Sequence, residues 1–342
     1  MINDNEDRYI LAIESSCDDT SAAVMQNRKA LSNVIANQEV HQAYGGVVPE
    51  LASRAHQKNI IPVVDEALKR AKVSKDELSA VAYTQGPGLM GALLVGNSFA
   101  KAISTALQIP LIEVNHMQAH ILAHFIEDER QKTPEFPFLA LTISGGHTQI
   151  VLVKNYFDME VIGTTLDDAI GEAFDKCGKM MNLPYPAGPH IDRLAQKGNA
   201  DIFHFNKPKV KNLDFSFSGV KTAVRYFLEK ENAKQADFVQ ANLNDICASL
   251  QKTLVDIIYD KMLKAAHEYN IDRIAIGGGV SANSSIRNKF KKLEDKGYDI
   301  HIPAFDYCTD NAAMIGIVGY YKYLKQEFSY ETSISKSRFP IA

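Results

Sequence analysis

The sequence predicts an α/β fold on the basis of three observations. Short apolar segments that suit strands alternate with amphipathic helical segments along most of the chain, as in α/β proteins. Two strand–turn–strand hairpins with the same plan occur, one in each half of the chain. The length of 342 residues exceeds what one hydrophobic core usually holds, which predicts two domains.

The two hairpins share an apolar strand, a small polar turn and a second apolar strand. In the first, Arg8–Glu14 and Ser21–Gln26 flank the turn SSCDDT. In the second, Phe138–Ile143 and Thr148–Val153 flank the turn SGGH. A plan that appears twice in this way indicates two related halves.

The remaining elements follow from hydrophobic periodicity and from glycine and proline signals. Short apolar runs predict strands at Ala80–Thr84, Pro110–Val114 and Asp272–Gly279. Apolar residues at three- and four-residue steps predict helices at Val48–Ala71, Leu89–Leu107, Asp168–Met181, Ser218–Glu229, Phe238–Glu268, Asn283–Lys296 and Asn311–Lys325. Prolines and a glycine predict a rigid loop at Tyr185–Asp192.

Composition and charge restrict the class of protein. The net charge of −4 gives no overall attraction to nucleic acid, so any basic site must be local. The cysteines are far apart and are expected to be free thiols: Cys17, Cys177, Cys247 and Cys308. We expect no signal peptide in the polar start MINDNEDRYI, and no apolar run reaches the roughly 18 residues of a membrane span.

The stretch NHMQAH has the spacing of a metal site. His116 and His120 would lie on one face of a helix and could share a cation. Zinc proteases place a general base directly after the first His, whereas this chain has Met117. Asp310 precedes the last predicted helix and is either its N-cap or a third ligand. A His/His/Asp set with open positions suits zinc or ferrous iron.

Two glycine turns follow apolar strands, Ile143–Thr148 (ISGGHT) and Gly277–Asn283 (GGGVSAN). Glycines let backbone N–H groups approach a phosphate, and a following helix N-terminus adds a favourable dipole. Either turn alone is equally explained as a tight turn with an ordinary cap, but three glycines in a row at Gly277–Gly279 exceed what a turn needs, which favours a ligand-binding turn there. Asn283 would then either cap the helix from Ser284 or bind a ligand.

A G-x-G-x-x-G pattern occurs at Gly86, Gly88 and Gly91. This pattern is the fingerprint of dinucleotide-binding domains, but it also arises from tight strand-to-helix packing. The packing interpretation is preferred, because dinucleotide binding would explain neither the histidine pair nor the second hairpin.

Acidic side chains gather in two motifs. Glu14, Asp18 and Asp19 lie in the first hairpin, where they either form the turn or point to a partner charge. Glu172 and Asp175 lie nearly one turn apart on a predicted helix, as a solvated face or as part of a site.

Basic residues gather in two segments, each of which suits either a solvated face or a phosphate contact. One is Lys207–Lys211, followed by Lys221 and Arg225. The other is Arg287–Lys292.

Seven motifs together resemble one known family. ESSCDDT, NHMQAH, SGGHT, GEAFDK, YPAGP, GGGVSAN and CTDNAAM occur in the order of the tRNA adenosine threonylcarbamoyltransferases, the TsaD family, from Tyr9 to about Lys322. The resemblance implies an actin-like, sugar-kinase-like ATPase fold with two α/β lobes and a nucleotide cleft. We expect residues 1–114 and 312–342 to form the N-terminal lobe and residues 115–311 the C-terminal lobe.

The resemblance also implies an activity. Members transfer a threonylcarbamoyl group from threonylcarbamoyl-AMP to the exocyclic amine of the adenosine beside the anticodon, in tRNAs that read codons starting with A. One divalent metal ion, Fe²⁺ or Zn²⁺, is expected, with AMP or ATP in the cleft. The expected bacterial partners are a shorter paralogue and a small P-loop ATPase, in the cytoplasm.

Residue by residue, the match assigns metal ligands and substrate contacts, but it does not identify the base. His116, His120 and Asp310 would hold the metal, and Glu14 and Asp18 are candidates for the base that takes the amine proton. The adenylate contacts would be Thr142, Ile143, Ser144, Gly145, Gly146, Asp175, Gly188, Asp192 and Asn283.

The chain departs from the commonest family pattern at a few positions. Ala187 and Ala312 stand where glycine is frequent, and Gln118 replaces a common Glu. Thr142 stands where archaeal and eukaryotic relatives carry a Tyr metal ligand, which leaves the fourth ligand open. An HxxxH metalloprotease and a non-catalytic nucleotide-binding scaffold are the alternative functions.

Overall fold

The computed structural model describes residues 7–36 and 46–341 of the chain. The strands are β1 Tyr9–Glu14, β2 Thr20–Gln26, β3 Lys29–Ala36, β4 Leu78–Gly86, β5 Leu111–Asn115, β6 Phe138–Ile143, β7 Thr148–Asn155, β8 Asp158–Thr164, β9 Arg273–Gly277 and β10 Asp299–His301. The helices are α1 Pro49–Ala71, α2 Met90–Leu107, α3 His116–Leu122, α4 Ile170–Met180, α5 Ala187–Ala195, α6 Ser218–Lys234, α7 Phe238–Ala241, α8 Leu243–Tyr269, α9 Ser284–Lys291 and α10 Ala312–Leu324.

The chain divides into two compact units. Unit 1 comprises Met1–Pro134 and Pro303–Ala342, and unit 2 comprises Glu135–Ile302. The lobe boundaries expected from the sequence, after residues 114 and 311, stay a prediction. The start of the chain was predicted to hold no signal peptide, and its first six residues lie outside the described residues.

Each unit holds one five-stranded sheet, and the two sheets have the same topology. Unit 1 has the order β3-β2-β1-β4-β5, and unit 2 has β8-β7-β6-β9-β10. In both, the first three strands form an antiparallel meander, and the last two run parallel to the first. Parallel neighbours need crossover connections, which helices supply in both units. The duplication predicted from the two hairpins is confirmed.

Helix α10 covers one face of the sheet of unit 1 and α1 and α2 cover the other. Leu11 and Ile13 belong to the core that includes α1 residues. Side chains alternate between the faces of a strand, so Ala12 points toward α10. There a Cβ on Gly316 would lie 3.2 Å from the Ala12 Cβ, and one on Gly319 would lie 2.6 Å from that of Ala82. These glycines let α10 lie directly on the sheet.

Some predicted elements were wrong in detail. The loop predicted at Tyr185–Asp192 contains helix α5, which begins at Ala187. Pro189 is compatible with this helix because N–H groups in the first turn have no intrahelical acceptor. The helix predicted over Phe238–Glu268 is two helices that meet at Asn242. The sequence patterns did not predict strands β3, β8 and β10, which are edge strands of their sheets.

Other expectations agree with the structure. All four cysteines are free thiols. Among the described residues, no helix combines the length and apolar character needed to cross a bilayer.

Candidate functional site

Helix α3 carries the histidine pair, and Asn115 fixes where this helix starts. The Asn115 side chain accepts hydrogen bonds from the backbone N–H groups of Met117 (2.9 Å) and Gln118 (3.2 Å). This N-cap places His116 at the first helical position and His120 one turn later on the same face. The two rings meet edge to face with centroids 4.7 Å apart. Asn115 was not among the predicted site residues, although an Asn directly before a helix is a capping signal.

Asp310 faces the two imidazoles and does not cap the following helix. Asn311 is the cap of α10, because its side chain accepts from the Met314 backbone N–H at 3.0 Å. The N-cap interpretation of Asp310 is therefore wrong. Its Oδ1 atom lies 3.5 Å from His116 Nε2 and 3.2 Å from His120 Nε2. One ligand atom from each of the three residues falls within 4.8 Å of the others.

The environment of this cluster fits a cation. His116 is 7% exposed and His120 is 1% exposed. Within the described part of the chain, both ring nitrogens of His120 are buried and lack a well-aligned hydrogen bond. A buried polar group left without a partner costs about 1–3 kcal/mol, which metal coordination would remove. Two imidazoles and a carboxylate are a donor set that could bind a divalent transition metal.

Glu14 orients the first histidine. It ends β1, is fully buried, and accepts a hydrogen bond from the Ser16 backbone N–H at 2.5 Å. Its other oxygen accepts from Thr84 Oγ1 at 2.6 Å and lies 3.0 Å from His116 Nδ1. No sequence pattern singled out Thr84. With Nδ1 engaged by the carboxylate, the Nε2 atom of His116 faces Asp310.

Opposite charges stabilise the pair formed by Glu14 and His116. Burial lowers the pKa of His116, but the carboxylates of Glu14 and Asp310 raise it to about 9. Burial raises the pKa of Glu14, but the neighbouring imidazolium holds it below its usual value. Metal binding needs an unprotonated Nε2, so it would release a proton. A carboxylate–His–metal arrangement of this kind fixes the tautomer and the orientation of the ring.

Asp18, the second candidate base, lies beyond Glu14 in the turn of the first hairpin and is partly exposed. Burial, and then the nearby Asp18 carboxylate, raise the pKa of the Cys17 thiol well above its usual value. The buried His56 of α1 holds this turn, with Nδ1 2.8 Å from Thr20 Oγ1 and Nε2 3.1 Å from the Cys17 carbonyl oxygen. Nothing in the sequence pattern singled out His56.

The G-x-G-x-x-G segment is packed against backbone and does not form a phosphate loop. A Cβ on Gly88 would lie 2.4 Å from the Ser16 carbonyl oxygen, which also accepts from Leu89 N–H at 2.7 Å. A Cβ on Gly86 would lie 1.9 Å from the carbonyl oxygen of Lys336. The preferred packing interpretation is confirmed.

The C-terminal segment supports the metal-site helix. Asn115 Nδ2 donates to the Pro340 carbonyl at 2.7 Å, and Gln118 Nε2 donates to the Ile341 carbonyl at 2.8 Å. Gln118 is a position where this chain departs from the common family pattern. Its amide supplies a donor that a carboxylate would lack.

In unit 2, the predicted adenylate residues of the first glycine turn follow the end of β6. Thr142 and Ile143 are buried in the strand. The Ser144 hydroxyl accepts from the Gly146 backbone N–H at 3.3 Å, which closes the turn. Cβ atoms on Gly145 and Gly146 would meet no atom within 4 Å. The turn therefore exposes backbone to an open space, as a ligand-binding loop requires.

The second glycine turn lies against the first. Gly278 has φ +89°, and a Cβ there would lie 2.4 Å from the Ile143 carbonyl oxygen. Asn283 caps α9 by accepting from the Ile286 backbone N–H at 3.1 Å, and its Nδ2 donates to Gln251 Oε1 at 2.7 Å. The predicted cap at Asn283 is confirmed.

Two carboxylates predicted to contact the adenylate bind the starts of neighbouring helices. Asp175 accepts the backbone N–H of Ala187 at 2.7 Å and also binds that of Gly188, and burial raises the pKa of this carboxyl. Asp192 accepts from the Ser284 backbone N–H at 3.0 Å and from its hydroxyl at 2.7 Å. These contacts place Gly188 beside Asp175, and Asp192 beside the start of α9.

Solved structures with the same architecture show the fold. Full-length HypF in the phosphate- and nucleotide-bound form matches 94% of this chain and 47% of that chain, with TM-score 0.61 and 14% identity. Component A of the (R)-2-hydroxyglutaryl-CoA dehydratase of Acidaminococcus fermentans matches 94% of this chain and 99% of that chain, with TM-score 0.52 and 16% identity. The expected actin-like α/β fold class is confirmed.

Sequence comparisons are more specific than the structural matches, because the identities are much higher. A protein from Christiangramia forsetii named tRNA N6-adenosine threonylcarbamoyltransferase is 61% identical over 331 residues, which cover 96% of this chain and 97% of that protein. One of the same name from Riemerella anatipestifer is 57% identical over 333 residues, which cover 97% of this chain and 98% of that protein. The family profile for TsaD, tRNA N6-adenosine threonylcarbamoyltransferase, matches residues 29–317. This chain therefore belongs to the TsaD family.

Proposed function

We propose that this chain is a tRNA N6-adenosine threonylcarbamoyltransferase that uses threonylcarbamoyl-AMP as donor. The acceptor is the exocyclic amine of the adenosine next to the anticodon, in tRNAs that read codons starting with A, and AMP is released. The observation that carries the proposal is the convergence of two imidazoles and a carboxylate within 4.8 Å in a chain of this family.

The proposed metal ligands are His116, His120 and Asp310, with Fe²⁺ or Zn²⁺ as the ion. A bound ion of this kind would supply Lewis-acid assistance, worth several kcal/mol, to an activated acyl donor. Glu14 would keep the Nδ1 proton of His116 and so present the Nε2 lone pair. Because Glu14 is fully buried and hydrogen-bonded, we assign it this positioning role ahead of the role of base.

The adenylate would bind to unit 2. Its proposed contacts are Thr142, Ile143, Ser144, Gly145, Gly146, Asp175, Gly188, Asp192 and Asn283. The open turn Ser144–Gly146 supports this assignment, because the exposed backbone N–H of Gly145 can bind phosphate or a developing oxyanion, while those of Ser144 and Gly146 donate within the turn. A well-placed N–H donor to a developing oxyanion is worth about 3–4 kcal/mol. An adenine amine is a poor nucleophile, so the reaction depends on the donor being a mixed anhydride.

A metalloprotease is not favoured. A zinc protease needs a general base directly after the first His, and here that position holds Met117, whose side chain is almost completely buried. The nearby Glu14 is hydrogen-bonded to Ser16 and Thr84 as well as to His116. A transferase metal acts on a substrate that is already activated, so it needs no such base. A non-catalytic scaffold would not need the three-residue cluster.

The proposed partners follow from membership of the family. They are a shorter paralogue of the same fold and a small P-loop ATPase, and a separate enzyme supplies the adenylate. Asp18 is the remaining candidate for the base. Because tRNA is the acceptor, we expect the protein to act in the cytoplasm.

The test is mass spectrometry of tRNA nucleosides after incubation of the chain with its partners, tRNA and threonylcarbamoyl-AMP. We expect threonylcarbamoyladenosine with the wild-type chain and none with His116→Ala, while circular dichroism shows that the variant is folded. The matched control is His204→Ala, because His204 is exposed and lies in unit 2. Full activity of a metal-free His116→Ala/His120→Ala protein would contradict the proposal.

A further inference from the structure

The two basic segments of the sequence meet on the surface of unit 2. Lys207 belongs to the first segment and lies with its Nζ 3.7 Å from Asp256 Oδ2. Lys289 belongs to the second segment and contacts Asp256 Oδ1. Asp256 is part of α8, so this helix joins two groups of lysines that are far apart in the sequence.

The loop that carries the first segment lies along α8. Lys261 Nζ donates to the carbonyl oxygens of Val210 at 3.0 Å and Asn212 at 2.7 Å, and Lys264 Nζ donates to that of Asn212 at 3.2 Å. From Asp256 to Lys264 the helix rises about 12 Å, at ~1.5 Å per residue. The loop is thus fixed beside the helix over two turns.

Positive charge exceeds negative charge on this surface, which we call the basic strip. Its six lysines face four carboxylates, those of Asp214, Asp256, Asp260 and Glu268. The strip comprises Lys207, Lys209, Lys211, Lys261, Lys264 and Lys289.

Two lysines of the strip carry uncompensated charge. Lys209 and Lys211 are exposed and form no ion pair with any residue in the described ranges. Burial, and then the adjacent charge of Lys264, lower the pKa of Lys261. An anion bound here would therefore relieve repulsion among the lysines, as expected of a phosphate-binding surface.

We propose that the basic strip binds phosphates of the tRNA backbone. The proposal rests on the proposed function, which makes tRNA the acceptor. The chain as a whole is acidic, with a net charge of −4, so a local cluster must supply the attraction to a polyanion. Lysines bind phosphates without reading bases, and the strip would hold different tRNAs of the acceptor set equally well.

The test compares Lys209→Ala/Lys211→Ala with the wild-type full-length chain. Each lost phosphate contact lowers the slope of log K against log salt concentration by about 1, so we expect the slope for tRNA binding to fall by about 2. In the reconstituted transfer reaction, KM for tRNA should rise several-fold, and kcat at saturating tRNA should stay within about twofold because the strip only positions the acceptor.

The matched control is Lys29→Ala/Lys75→Ala, which removes two exposed lysines from unit 1. It should leave the salt slope and the KM unchanged. A wild-type salt slope and KM in the strip variant would overturn this proposal, while transfer by the wild-type chain would still support the enzyme function. Absence of transfer by the wild-type chain would instead contradict the enzyme function itself.

Discussion

The two units use their motif carboxylates in opposite ways. In unit 1, Glu14 and Asp310 face imidazole nitrogens of α3. In unit 2, Asp175 and Asp192 accept backbone N–H groups at the starts of α5 and α9. The strand order is the same in both units, and the sequence placed all four residues in motifs of equal prominence. A carboxylate in a motif therefore has no assignable role until its partner is known.

The partner also decides what a substitution should change. Carboxylates that face histidines should control metal affinity, whereas those that hold helix starts should control the free energy of unfolding. The following predictions test this difference, from the largest expected effect to the smallest.

Glu14→Gln should weaken metal binding by about 10–100-fold, because the amide removes the negative charge that orients His116. It should also lower the free energy of unfolding by about 1–3 kcal/mol, because the amide group faces the Ser16 N–H donor. The measurements are metal competition titration and urea unfolding.

Thr84→Val is the control for Glu14→Gln. It removes one hydrogen bond to the same carboxylate and keeps the charge, so its metal affinity should stay within a few-fold of wild type. Unchanged metal affinity in Glu14→Gln would contradict the proposal that Glu14 orients His116.

Asp167→Asn in unit 2 should destabilise the fold in a pH-dependent way. Burial raises the pKa of Asp167, but hydrogen bonds from Ser216, Ser218 and the Phe217 N–H lower it overall. A depressed pKa means that the carboxylate stabilises the fold above the ordinary value of 3.8 and ceases to do so as the pH falls through the folded-state pKa.

Because Asp167 is exposed and water screens its charge, we expect Asp167→Asn to lower the free energy of unfolding by only about 1–2 kcal/mol at pH 7, and by progressively less below pH ~4. Urea unfolding of both proteins across this range measures the difference. A difference that stays constant from pH 7 to pH 3 would show that the charge of Asp167 contributes nothing.

Asp175→Ala should lower the free energy of unfolding by about 1–2 kcal/mol, because the N–H groups of Ala187 and Gly188 lose their acceptor. Metal affinity should not change. Glu172→Ala on the same helix is the control, since its exposed ion pair with Lys176 is worth less than about 1 kcal/mol. Equal destabilisation by the two substitutions would argue against a capping role.

Gln118→Glu should have the smallest effect, about 1 kcal/mol, because it replaces the donor to the Ile341 carbonyl with an acceptor. We expect faster hydrogen exchange in the C-terminal segment while the metal-site geometry stays intact. Mass spectrometry of deuterium uptake measures this change. Uptake identical to wild type would show that the segment is held by its other contacts.

The sequence predicted most elements whose signals are local. Buried strands such as β1 and β6 and long helices such as α1 and α2 came from hydrophobic periodicity alone. Helix α5 was missed because its N-terminal acceptor is supplied by Asp175 of another helix. The residues alone left Asp310 open between cap and ligand, because the sequence does not say which of two adjacent polar residues turns toward the backbone.

By itself, the sequence determined the α/β class, the internal duplication, the histidine pair and the order of motifs. These depend on periodicity and on the spacing of neighbours along one chain. Only the tertiary structure decided that Asp310 meets α3, that Glu14 holds His116, and that Asp256 joins the two lysine segments. Each of these contacts joins residues far apart in sequence, where distance is set by strand order and helix packing and not by local propensity.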